Sequence, residues 1–158
     1  MINRFIGKYA GFSNFVPAVV SFEGITFPTV EHAYVAAKTL NIAFRRDVAM
    51  TPAKQAGVVK KWGRTVVLRG DWEDIKVAIM QDLLLQKFQQ QPFKDLLMGT
   101  KDQKIVEGNY WHDNFWGDCF CKKCTDIKGE DMLGHQLMTL REYFSLLDEN
   151  ITNLEITS

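Results

Sequence analysis

No stretch of this chain approaches the ~18 apolar residues that a bilayer-crossing helix needs, so a helical membrane protein is excluded. The first residues, Met1-Ile2-Asn3-Arg4-Phe5, lack an apolar segment behind their arginine, and no secretory signal is expected. Cysteine is scarce. Its three copies, Cys119, Cys121 and Cys124, are an odd number packed into six positions, which argues against a disulfide framework and for a reducing, cytoplasmic setting. There is no internal repeat and no linker-like tract. Net charge is missing too, with 19 basic against 19 acidic residues. What is present, 46% hydrophobic and 24% charged residues over 158 positions, suits one soluble globular domain. That domain is expected over residues 1–148, with a polar, frayed tail over 149–158.

The neutral sum hides an uneven layout. Residues 1–79 carry an excess of five positive charges and residues 80–158 an excess of five negative ones. The stretch 38–69 is the most basic, with Lys38, Arg45, Arg46, Lys54, Lys60, Lys61, Arg64 and Arg69 against Asp47 alone. Such an excess attracts phosphates, DNA included, although a solvated helical face has the same composition.

Hydrophobic periodicity predicts a mainly α chain with a few short strands, an α+β class. Residues 12–15 and 19–22 read as short extended pieces, with Gly24 and Pro28 as turn points. Thr29 is a candidate N-cap for a helix carrying Val30, Tyr34, Ala37 and Leu40 on one face. Thr51-Pro52 signals a second helix ending near Gly63, and residues 66–68 a short strand. Asp71 is placed to cap the strongest helix, marked by Ile75, Ile79, Leu83 and Phe88, and a shorter one follows over 92–98. Residues 104–107 read as a brief strand before an aromatic loop at 108–118. Leu133, Leu137, Leu140, Phe144 and Leu147 mark the last helix.

Several residue groups could carry chemistry. Glu31, Val35 and Lys38 share one helix face, with carboxylate and amine ~10.5 Å apart along the axis. That is too far for a direct pair, yet both can converge on one ligand: a carboxylate to move protons, an amine to attack a sugar aldehyde. A charge-favoured helix start at Glu31 and a solvated Lys38 would give the same spacing. Glu107, at a strand-to-loop junction, is a second candidate acid or base. The loop 109–118 combines Tyr110, Trp111, Phe115 and Trp116, which can stack a base, with Asp113 and Asn114, which can hold ribose hydroxyls. It could equally be a hydrophobic cluster pinning a long loop. Cys119, Cys121 and Cys124 have C-x-C-x2-C spacing, a structural zinc candidate if His112 or His135 supplies a fourth ligand.

The chain resembles the NADAR (YbiA-like) superfamily from about Phe12 to Arg141. The resemblance is carried by Phe12-Ser13-Asn14-Phe15, by Phe27-Pro28-Thr29-Val30-Glu31-His32-Ala33-Tyr34 followed by Lys38, and by Trp72, Lys76, Met80, Lys87-Phe88, Leu96-Leu97 and Thr100. Glu107, Asp113, Phe115-Trp116-Gly117, Leu133-Gly134, Leu137-Met138 and Arg141 complete it. It implies a mostly helical fold and an N-glycosidase that cleaves a ribose C1–nitrogen bond without a catalytic cofactor. Glu31, Lys38 and Glu107 are the implied catalytic residues. Asn14, His32, Tyr34, Asp113, Phe115, Trp116, Gly117 and Arg141 are the implied substrate contacts. The implied substrate is an ADP-ribosyl or ribosylamino nucleotide. The favoured form is ADP-ribosylated guanine in nucleic acid, the product of DarT-type toxins, which the protein would reverse as an antitoxin or counter-defence factor, with the DNA following residues 38–69. The alternative is a phosphoribosylamino-pyrimidine intermediate of riboflavin synthesis. A non-catalytic ADP-ribose or NAD reader would keep the same pocket. One departure stands out: where the family often has G-x-N-x-L-G, this chain has Gly129-Glu130-Asp131-Met132-Leu133-Gly134, so an acceptor-only carboxylate replaces an amide.

Overall fold

The computed structural model describes residues 1–157, and the chain divides into two units, Ala10–Phe93 and Met1–Tyr9 joined with the chain from Lys94 onwards. In the first unit, strands β1 (Val20–Phe22) and β2 (Ile25–Phe27) pair antiparallel, with Ser21 opposite Thr26. Their two-residue turn has φ of 44° at Glu23 and 80° at Gly24. Two successive left-handed residues match the right-handed twist of a hairpin, and glycine takes the second position without steric cost.

Helix α1 (Val30–Ala37) starts where its cap signal lies: the Thr29 hydroxyl accepts from the His32 backbone N–H. Every residue of α1 is buried, and the alanines at 33, 36 and 37 let α2 (Ile42–Met50), α3 (Ala56–Gly63) and α4 (Trp72–Phe88) approach it closely. A helix apolar on all sides is the centre of a core, and α1 is that centre here. Helix α4 buries Trp72, Met80, Leu83, Leu84, Lys87 and Phe88 along one stripe.

The second unit begins with α5 (Phe93–Met98, entered at the unit boundary) and holds two short parallel strands, β3 (Gly108–Asn109) and β4 (Asp118–Cys119). Helix α6 (Met132–Thr157) closes it, burying Leu133, Leu137, Leu140 and Phe144. Its first N–H groups are satisfied from outside the helix: Met132 donates to the Phe115 carbonyl and Leu133 to the Trp116 carbonyl.

Several local expectations are corrected. Phe12 ends a 3-10 helix over Gly7–Phe12 and residues 13–15 form turns, so 12–15 is not extended. Residues 66–68 form no strand, because no partner strand lies beside them; Val67 is exposed, and the next residue, Arg69, donates its N–H to the Lys38 carbonyl. Residues 104–107 contribute only a bridge between Ile2 and Ile105. Helix α2 has no counterpart in the predicted elements. Its core-facing positions are Arg45 and Val48, and an arginine breaks the apolar stripe that periodicity needs. Asp71 makes no capping bond, since Arg69 Nε holds its carboxylate at 2.7 Å. The tail is helical through Thr157 and exposed; Ser158 lies outside the described residues. No helix of the described residues is long and apolar enough to cross a membrane.

Candidate active site

In the first unit, the sequence that builds α1 also delivers a carboxylate and an amine to its two ends. Glu31 is buried in the first turn, and its backbone N–H donates to the Asn14 carbonyl at 3.1 Å. Lys38 is the C-cap residue and is half-buried, its Nζ 5.4 Å from the centre of the Tyr34 ring. Tyr34 in turn packs on Trp72 at 5.1 Å between centroids. Burial holds the Lys38 amine below the usual lysine range; Glu31 opposes that shift, while Lys60, Arg64 and Lys76 add to it. The electrostatic reach of Glu31, Lys60, Arg64 and Lys76 onto one amine defines a mixed-charge site on this unit. A Cβ on Gly63 would lie 3.0 Å from Val35 Cγ2 and 3.4 Å from Lys38 Nζ, a tight fit that would press on both side chains.

Asn14 stands beside Glu31. Its Nδ2 contacts Met80 Sδ at 3.7 Å, and its buried Oδ1 has no hydrogen-bond partner within the protein. A buried amide oxygen without a partner is uncommon and suits a ligand contact. Behind this turn, Lys87 Nζ donates to the Ser13 carbonyl at 2.8 Å and lies 4.8 Å from the Phe93 ring centre. Burial lowers its pKa to about 7.

His32 is placed differently from the substrate contact expected of it. It is fully buried, with Nδ1 2.7 Å from the Thr29 hydroxyl and Nε2 3.0 Å from the Thr51 carbonyl. A neutral ring fits both, and burial lowers its pKa accordingly. Its polar atoms tie α1 to the turn after α2. Arg45 corrects the picture of a continuous basic strip. It is 1% exposed, with Nε donating to the Ala36 and Thr39 carbonyls and Nη1 to Glu23 Oε2 at 2.7 Å. It caps the carbonyl end of α1. Arg69 is also mostly covered and paired with Asp71.

In the second unit, Asp113, Phe115, Trp116 and Gly117 lie on the loop between β3 and β4, and Glu107 immediately precedes β3. Asp113 Oδ1 accepts from the backbone N–H groups of Phe115 and Trp116, at 3.1 and 2.9 Å, and folds the tip into an Asx-type turn. The two aromatic rings meet edge to face at 4.9 Å. Glu107 accepts from Asn109 Nδ2, and a Cβ on Gly117 would collide with Glu107 Oε2. Asp131 Oδ1 accepts from the Glu107 N–H at 2.8 Å, its Oδ2 is buried without a partner, and burial raises its pKa. Arg141 lies apart from this cluster, donating to Thr100 Oγ1 and the Gln103 carbonyl. His112 on that loop, Cys119 in β4 and Cys121 and Cys124 after it bring their ligand atoms within 4.8 Å of one another, a group able to hold a metal ion.

Sequence reasoning gives Lys87 a place in the family resemblance but no role, although a lysine inside the buried stripe Met80-Leu83-Leu84-Phe88 is a readable signal. Lys60, Arg64 and Lys76 bear on Lys38, and no local pattern marks that convergence, because they come from two other helices or their ends.

The NADAR domain model matches residues 4–145. The N-glycosidase YbiA of Escherichia coli is 32% identical over 143 residues, covering 87% of this chain and 83% of that protein. An N-glycosidase of Nostoc punctiforme is 35% identical over 145 residues, covering 85% of each. A riboflavin biosynthesis protein of Vibrio vulnificus is 32% identical over 82% of this chain, which spans 34% of that longer protein. The solution NMR structure of E. coli YbiA matches with a TM-score of 0.77 at 32% identity, over 94% of this chain and 87% of that one.

Proposed function

The chain belongs to the NADAR domain family of N-glycosidases, and on that premise we propose that it hydrolyses the ribose C1–nitrogen bond of a phosphorylated ribosylamino nucleotide. The observation that carries this reading is the Lys38 amine, depressed by burial and set among Glu31, Lys60, Arg64 and Lys76. A lowered pKa raises the share of free, nucleophilic amine, and cations around it suit a phosphate on the same substrate.

Ring opening of a ribosylamine leaves an imine carbon at C1. Lys38 Nζ adds to that carbon, the amino-pyrimidine nitrogen takes a proton and departs, and a Schiff base between Lys38 and the sugar remains. Water then adds to C1 and the free amine is regenerated. Glu31 gives the proton to the leaving nitrogen and recovers it from the attacking water. Asn14 Oδ1 is assigned a ribose hydroxyl, Tyr34 a wall of the sugar site. In this reading the cysteine loop has a structural part and takes none in the chemistry.

A small nucleotide is preferred over a polynucleotide for one reason: Arg45 and Arg69, two of the eight cations in 38–69, are already covered and paired. The riboflavin biosynthesis relatives support the same choice. A second reading, ADP-ribosyl-guanine in nucleic acid, is favoured by the exposed Arg46, Lys54 and Lys61. Incubation of purified protein with each substrate separates the two, and borohydride should trap a sugar adduct on Lys38. Cleavage of neither substrate, with ADP-ribose still bound, would leave a reader without enzymatic activity. An adduct on another lysine would remove the covalent route in favour of water activated by Glu31 or Glu107.

A further inference from the structure

We infer that His112, Cys119, Cys121 and Cys124 form a closed zinc site that holds the 113–116 turn in its folded shape. In a tetrahedral site with Zn–S of about 2.3 Å and Zn–N of about 2.0 Å, sulfurs lie about 3.8 Å apart and nitrogen lies about 3.5 Å from each sulfur. Here His112 Nδ1 is 3.3 Å from both Cys121 Sγ and Cys124 Sγ, and all four ligand atoms fall within 4.8 Å of one another. One ring nitrogen carries at most one hydrogen, so it cannot donate to both sulfurs at full strength. Its equal distance to the two marks atoms arranged around a common centre. The cysteines are free of disulfides, and Cys119 and Cys124 are buried.

The backbone is shaped to the same end. His112 has φ of 68°, a left-handed conformation uncommon outside glycine, and its ring nitrogen faces the sulfurs. Three thiols that release their protons and one neutral imidazole leave the zinc complex with a single negative charge. Lys122 and Lys123, between the second and third cysteines, lie beside that charge. With four protein ligands the ion has no open position for water, so its part is structural.

Asn114 links the site to the turn. Its Nδ2 donates to Cys124 Sγ at 3.5 Å while its Oδ1 accepts from the Cys119 N–H at 3.0 Å. The neighbours of Asn114 in sequence are Asp113 and Phe115, so the side chain that orients two ligands also fixes the turn's backbone. Such outer partners change metal affinity about 10–100-fold when removed.

The test uses intact wild-type protein prepared without a metal-affinity tag. Elemental analysis should find close to one zinc per chain, and less than about a tenth of an equivalent would overturn the site. Replacement by cobalt should give the intense absorption of a tetrahedral thiolate complex; the weak spectrum of six-coordinate cobalt, or a disulfide among the three cysteines, would also overturn it. Chelation should speed amide exchange across residues 109–119 and leave α1 to α4 unchanged, whereas an unaltered loop would remove the holding role. Cys121→Ser should lower zinc affinity at least tenfold. None of these readouts depends on glycosidase activity, so this inference and the enzymatic reading fail separately.

Discussion

In the proposed mechanism Lys38 is the residue on which the chemistry turns. Lys38→Ala should abolish turnover, and Glu31→Gln should lower kcat by about 10²–10⁴-fold, as loss of a proton shuttle does. The activity of an amine nucleophile rises with pH through its pKa, so this limb should lie below that of an ordinary lysine. Lys60→Gln removes one like charge, lets the Lys38 pKa rise, and should move the limb to higher pH. A shift the other way in the kcat/KM profile would contradict the electrostatic account. Asp131 makes a separate prediction. Its pKa is raised by burial, so the carboxyl is most comfortable protonated, and stability is lost as pH climbs from the unfolded-state pKa through the folded one. Asp131→Asn carries no such charge and should be the more stable protein at neutral pH, by about 1 kcal/mol, with the difference vanishing in acid. Thermal melts of both proteins across that range check it.

At the scale of elements, α1 and the β3–β4 loop are built by unlike means. Helix α1 owes its place to a cap and to small residues. Thr29→Ala removes the acceptor for the His32 N–H and the partner of His32 Nδ1 together, and should cost about 1–2 kcal/mol in denaturant unfolding. The loop owes its shape to polar side chains that bond backbone groups, and to a glycine. Gly117→Ala forces a methyl group into Glu107 Oε2 and the Glu107 carbonyl, so the loop must open. That variant should show faster amide exchange over residues 109–119, while the Tyr34–Trp72 packing of the first unit, read by near-UV dichroism, stays as it was. Unchanged exchange there would mean that the loop accommodates a Cβ at 117.

At the scale of the whole molecule, burial of Lys87 sets a pH dependence. Its amine titrates at about 7 in the folded protein against 10.5 for the ordinary group, so the unfolded chain binds more protons between those values. Stability should therefore increase from pH 7 towards 10 in the wild type. Lys87→Met should flatten that increase and be the more stable protein at pH 7, by roughly 2 kcal/mol. Charge across the molecule makes a second prediction. If the substrate is small, its turnover changes little with salt, whereas a polynucleotide substrate would be processed steeply more slowly as salt rises.

The sequence by itself determined the elements that rest on local rules: the Thr29 cap, the presence of α4 and α6 and the helical class of the chain. It also determined the family, because ordered motifs from Asn14 to Arg141 survive without any knowledge of contacts. It made the cysteine cluster legible, since three of its four ligands are neighbours in the chain, and narrowed the fourth to His112 or His135. Tertiary structure alone decided that Arg45 is a buried cap and not a phosphate contact, that His32 is bonded within the fold on both ring nitrogens, and that α2 exists at all. It alone chose His112 over His135. Each of these depends on a partner distant in sequence (Glu23 for Arg45, Thr51 for His32, Cys124 for His112), and periodicity carries no information about such partners. The depressed amine of Lys38 has the same origin: burial and the reach of Lys60, Arg64 and Lys76 exist only once α3 and α4 have packed around α1.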